Sequence, residues 1–189
     1  MVFGQFRSYK ANLEKNLKDI YETFIKNNII DVYILTDKKS SGNYSKENEN
    51  EIINIFKKYN CNIVFIKYWE DLPQYHHQET INNLQYMANC KHTKGKNNFT
   101  SNLWYRRYIL NELKNDYKKK YDLDMFIRLF DIKLKPLKND IIIKDQILSC
   151  INTPKLLMSI DTIFIGNKTV IDNLFSFGKE FNLYHDDIW

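Results

Sequence analysis

Ile30-Asp31-Val32-Tyr33-Ile34-Leu35-Thr36 is a run of β-branched and aromatic residues, closed by the polar stretch Asp37 to Tyr44 with its Ser40-Ser41-Gly42-Asn43 core. Such a run reads as a buried strand that ends in a loop at Asp37. Toward the amino end, Leu13, Leu17, Ile20, Phe24 and Ile25 recur at spacings of three and four, which is the pattern of an amphipathic helix. Met1-Val2-Phe3-Gly4-Gln5-Phe6 before it reads as a first strand. On the carboxyl side, Ser45 is placed to cap a helix with Glu47 and Glu49 in its first turn and Ile52, Ile55 and Phe56 on its apolar face. Cys61-Asn62-Ile63-Val64-Phe65-Ile66 then returns to the sheet. Strand, helix, strand, helix, strand over about 66 residues predicts right-handed crossovers and a mainly parallel central sheet flanked by helices. In such a sheet ligands bind outside the carboxyl ends of the strands.

Further along, Leu84 and Met87 predict a helix from about Gln78, and His92 to Asn98 reads as a loop, as do His76-His77. Thr100 or Ser101 is a candidate cap for a helix to Lys118, with Leu103, Leu110, Leu113 and Tyr117 on its core side. Asp122 and Asp124 read as solvated turn residues ahead of a strand, Met125 to Phe130, that runs into Asp131. Asp140 to Ile143 reads as a short edge strand and Leu156 to Ile165 as a further strand. Gly166-Asn167 then leads into a last helix with Val170, Leu174, Phe177 and Phe181 aligned.

Composition narrows the class. With 189 residues and 43% hydrophobic content, residues 1–189 fit one globular domain with a sizeable core. No apolar stretch approaches the roughly 18 residues of a membrane span, and the first residues lack the pattern of a secretion signal, so a cytoplasmic protein is expected. Cys61, Cys90 and Cys150 are far apart, which argues against a zinc ribbon or a disulfide framework. The net charge of +5 is spread among acidic residues, so a phosphate-bearing small molecule fits as well as nucleic acid.

Two blocks carry a resemblance: Gly4-Gln5-Phe6-Arg7 before a long helix and Asp31 to Asp37, then Trp104-Tyr105-Arg106-Arg107 followed by Tyr121-Asp122 and Arg128-Leu129-Phe130-Asp131. With Ser159 to Gly166, the chain resembles small glycosyltransferase-like proteins of bacteria and large DNA viruses. The resemblance implies a GT-A-like, Rossmann-like fold, a nucleotide-sugar donor and a bound Mn²⁺ or Mg²⁺. It would make the protein a transferase, in a host cytoplasm if viral, that moves a sugar to an acceptor hydroxyl on a glycan, lipid or protein. Where related proteins tend to show Arg-x-Arg-x-Asp, this chain has Arg128-Leu129-Phe130-Asp131, one arginine short. That departure motivates the alternative of a degenerate transferase-like interaction protein. A nucleic-acid-binding protein is the less favoured alternative.

Candidate residues follow. Gly4 permits close backbone approach, and Gln5 and Arg7 stand at the first strand's end, where a planar guanidinium suits phosphate. The competing reading pairs Arg7 with Glu14. Asp37 is a candidate for the base or ribose, against ordinary turn chemistry. Arg106 and Arg107 are adjacent on a helix and point about 100° apart, so at most one of them reaches a diphosphate; Arg107 is taken, with Arg128, into the nucleotide set. Asp131 is a candidate to give the metal a hard carboxylate, against a turn-forming Asp, with His185 as a further candidate ligand, against a frayed polar terminus. Asp161 sits in an apolar strand, where a buried carboxylate needs a partner or a role. With Asp186 and Asp187 it is a candidate to orient the acceptor or act as base.

Overall fold

The structure is a computed structural model that describes residues 1–38, 45–89, 99–130, 148–149 and 163–180. Its elements are Val2–Phe3 (β1), Tyr9–Ile20 (α1), Ile30–Thr36 (β2), Lys46–Lys58 (α2), Cys61–Tyr68 (β3), His76–Asn89 (α3), Phe99–Asn115 (α4), Asp124–Ile127 (β4), Leu148–Ser149 (β5), Ile163–Gly166 (β6) and Lys168–Glu180 (α5). The strands form one sheet in the order β3-β2-β1-β4-β6-β5. β1 to β4 are parallel to one another, whereas β6 runs antiparallel to β4 and to β5. The chain is therefore α/β, with a mostly parallel sheet flanked by helices.

Alternation along each strand sends residues into two apolar layers. Val2, Val32, Ile34, Ile127 and Ile165 pack under Leu13 and Leu17 of α1 and Ile52 and Phe56 of α2. Phe3, Tyr33, Leu35, Phe126 and Phe164 face the opposite way, toward Leu103, Ile109 and Leu110 of α4 and Ile171 and Phe175 of α5. Both faces of the sheet are covered, which explains why β2 reads as a continuous apolar run rather than an alternating one.

The bounds of β2 and the Ser45 cap are as the sequence predicts: Ser45 Oγ accepts from the Asn48 amide at 3.1 Å. Other readings are corrected. β1 ends at Phe3 because Gly4 turns the chain with a φ of 135°. His76 and His77 are the first residues of α3, not loop residues, and His76 Nε2 lies 2.9 Å from the Trp69 carbonyl. α4 starts at Phe99, so Thr100 and Ser101 lie within the helix. Leu84 is 58% exposed, and Tyr117, expected on the core side, lies past the helix end and is exposed. On α5 the buried positions are Ile171 and Phe175, with Val170 and Leu174 half-buried. Asp124 is not solvated: it opens β4, is buried, and pairs with buried Lys114 of α4. Asp140 to Ile143 and residues 156–162 lie outside the described residues.

Gly178 lets α5 cross α4 at close range, since a Cβ there would stand 2.2 Å from the Trp104 carbonyl oxygen. Gly178→Ala is expected to lower the unfolding free energy by about 1–3 kcal/mol, read as a lower urea midpoint with an unchanged slope.

Three carboxyls that tie elements together are held below their ordinary pKa. Burial opposes ionisation of Asp31, but hydrogen bonds from Lys119, Asn62 and Tyr121 outweigh it. Burial is likewise outweighed at Glu49 by Lys46 and Tyr68, and at Asp172 by Lys168, Asn111 and Asn115. A carboxyl with a depressed folded pKa contributes stability that is complete above its unfolded pKa and is lost as pH falls through the folded one. Stability is therefore expected to be level near neutral pH and to decline below about pH 4. Urea titrations across that range should show a shallower decline in Asp31→Asn; an unchanged slope would remove Asp31 from the linkage.

Candidate functional site

β1 to β4 point the same way, so Phe3, Thr36, Tyr68 and Ile127 end at one edge. Strand order runs outward from β1 to β2 and β3 on one side and to β4 on the other, so the direction of winding reverses between β1 and β4. In open α/β sheets ligands bind outside the carboxyl ends of the strands at such a reversal. Four elements converge there.

Gly4 follows β1 in a backbone conformation that residues with a side chain rarely adopt. Gln5 is extended and leads into a short 3₁₀ turn, Phe6–Ser8, which contains the backbone of Arg7. Phe6 is the hinge pin: its buried ring meets Phe130 edge-on at 4.8 Å and Tyr68 at 6.4 Å, joining the ends of β1, β4 and β3. Beyond β4, two asparagines of α1 hold the chain by its carbonyls, Asn16 Nδ2 donating to Leu129 O at 2.8 Å and Asn12 Nδ2 to Phe130 O at 3.2 Å. They fix the backbone on which half-buried Arg128 stands. Two buried polar atoms at this edge, Gln5 Oε1 and Thr36 Oγ1, have no hydrogen-bond partner among the described residues. An unpaired buried polar group costs stability unless something else satisfies it.

At the end of β2, Asp37 accepts from Arg106 Nη1 at 2.7 Å, while Arg106 Nε donates to Glu79 of α3 at 2.6 Å. The guanidinium lies 4.5 Å from the Trp69 ring centre, and Trp69 Nε1 donates to Glu79 at 3.1 Å. This network ties α3 and α4 to the strand ends. Lys38 adds an ion pair to Asp71 at 2.7 Å. On the other flank, buried Glu49 near the start of α2 accepts from Tyr68, and the Tyr9 hydroxyl donates to Glu51 at 2.5 Å and lies 2.9 Å from the Asn48 side-chain amide.

The expected residues thus divide. Gly4, Gln5, Asp37, Arg128 and the backbone of Arg7 come together at one edge. Glu14, the competing partner of Arg7, pairs with Lys58. Arg107 does not join them: it has no exposed surface, and its guanidinium lies 4.8, 5.0 and 5.8 Å from the ring centres of Trp104, Phe126 and Phe164. The 100° step along α4 gives the strand-end position to Arg106 instead. Asp131, Asp161, His185, Asp186 and Asp187 lie outside the described residues. Among the described residues no group of three or more His, Cys, Asp or Glu could hold a metal ion. Glu79 and Trp69 escaped sequence reading altogether. The apolar pattern could not single out Arg106 either, because the buried face of α4 takes in the cations Arg107 and Lys114 beside Leu103 and Leu110.

No protein-family model, curated protein or solved structure matches the chain.

Arg106→Ala takes the cation away from two carboxylates that are 17% and 12% exposed. It is expected to cost about 3 kcal/mol, with Arg106→Lys recovering only part because an ammonium lacks the planar fork. Chemical denaturation of the two variants checks this; equal stability of wild type and Arg106→Ala would show the network to be energetically idle.

Proposed function

We propose that the chain binds a nucleotide-sugar donor at the carboxyl edge between β1 and β4 and transfers its sugar to an acceptor hydroxyl, as a Rossmann-like, GT-A-like glycosyltransferase. The observation that carries the reading is the reversal of strand order at β1, with Gly4, Gln5, Asp37 and Arg128 gathered at that edge. Gly4, lacking a Cβ, lets a diphosphate approach the backbone. Asp37, held in place by Arg106, accepts hydrogen bonds from ribose hydroxyls. Breaking the bond between sugar and diphosphate leaves negative charge on the leaving group, which the Arg128 guanidinium is assigned to stabilise. Arg7 is assigned a second phosphate contact, and Asp161, Asp186 and Asp187 the acceptor side. The unpaired Gln5 Oε1 and Thr36 Oγ1 support a polar ligand at this edge. The reading gives the donor site a cytoplasmic setting; among the described residues no helix is long and apolar enough to cross a membrane.

A panel of UDP-, GDP- and CDP-sugars, each with and without Mn²⁺, tests the proposal by thermal shift. One donor at a hundredfold its Kd is expected to stabilise the fold by about 2.7 kcal/mol. Arg128→Gln should weaken that donor about tenfold, the worth of one charge-assisted contact. Stabilisation by no donor would refute the reading, and donor binding without sugar transfer would reduce it to a transferase-like binding protein.

A further inference from the structure

At the opposite, amino edge of the sheet lies a cavity of about 120 Å³ between α1 and the strands. Its floor is interior: Leu17, Phe56 and Leu129 are 0%, 1% and 2% exposed. Its mouth is not: Ile29 and Leu123, which also line it, are 93% and 46% exposed. Its apolar lining thus includes both solvent-exposed and core residues, with Ile20 and Ile25 among them.

The shape restricts the occupant. Met125, Ile127 and Leu129 all line the cavity and alternate along β4 and its continuation, and four residues of strand span about 13 Å. With a volume well below the roughly 300–1,000 Å³ of drug-sized pockets and apolar side chains along that length, the cavity suits a slender apolar group better than a drug-sized molecule. Hydrogen-bonding side chains also line the cavity. There Asp31 accepts from Tyr121 at 2.8 Å and pairs with Lys119 at 2.8 Å, Tyr33 and Tyr121 share a hydrogen bond of 2.5 Å, and Lys114 pairs with Asp124.

We propose that this cavity binds the single unbranched hydrocarbon chain of an amphiphile, its tail passing between Ile29 and Leu123 to Leu17 and Leu129 and its polar head held by the Asp31 and Tyr121 cluster. The site is separate from the strand-end crevice and stands whether or not a nucleotide binds there. Burial of Ile29 and Leu123 against the chain supplies a driving force that a packing defect would not have.

Calorimetric titration of the full chain with hexanol, octanol and decanol tests the inference. Saturable one-to-one binding is expected, tightening about fourfold per added methylene. Val32→Phe, which places a ring in the cavity from its β2 wall, should weaken decanol at least tenfold while the circular dichroism is unchanged. In the wild type, decanol should slow alkylation of Cys61, another lining residue, as read by mass spectrometry of its peptide. That second measurement needs no variant to fold. Unsaturable partitioning, equal affinity across the alcohols, or unprotected Cys61 at saturating decanol would each overturn the proposal.

Discussion

Val2 pairs with Ile127 across the middle of the sheet, and the Ile127 amide donates to the Met1 carbonyl at 3.0 Å. This short parallel join holds the β3-β2-β1 half to the β4-β6-β5 half. A two-residue strand has little ladder of its own, so the join rests on what surrounds it. Phe6 against Phe130 closes the carboxyl end, the Lys114–Asp124 pair closes the amino end, and an apolar layer covers each face. The strand order reverses at β1 because it is flanked on both sides by parallel strands, β2 and β4.

Electrostatics follow from the same arrangement. Two of the buried positions of α4 are cationic. Lys114 meets the carboxylate of Asp124, whereas Arg107 lies against three aromatic rings, a setting in which a delocalised guanidinium gains from the ring quadrupoles. One residue away, Arg106 faces the strand ends and holds two carboxylates together. Adjacent arginines thus do different work because the helix turns between them. Retaining these costly buried charges on one helix fits a need to fix α4 in a single register over the sheet.

Local signals made much of this legible. The β-branched run of β2, the Ser45 cap and the core faces of α1 and α2 depend on neighbours in sequence, and they are where the pattern puts them. Errors arose where a distant partner decides. Asp122-Leu123-Asp124 has the composition of a turn, yet Asp124 is buried because Lys114 descends on it from a different element. Glu79 gave no sign of its role, since its partner Arg106 is 27 residues away. Gly4 was visible as a residue that allows close approach, though not as the point that ends β1. The direction of β6 has no local signature at all, because an antiparallel strand carries the same residues as a parallel one.

The central claim is that the edge where winding reverses is the ligand site. Hydrogen exchange read by mass spectrometry, with and without the donor that stabilises the chain most, tests it by position. The account predicts slower exchange in peptides covering residues 4–8 and 127–130. Protection confined to the amino edge around Asp31 and Tyr121, or no change at either edge, would contradict it.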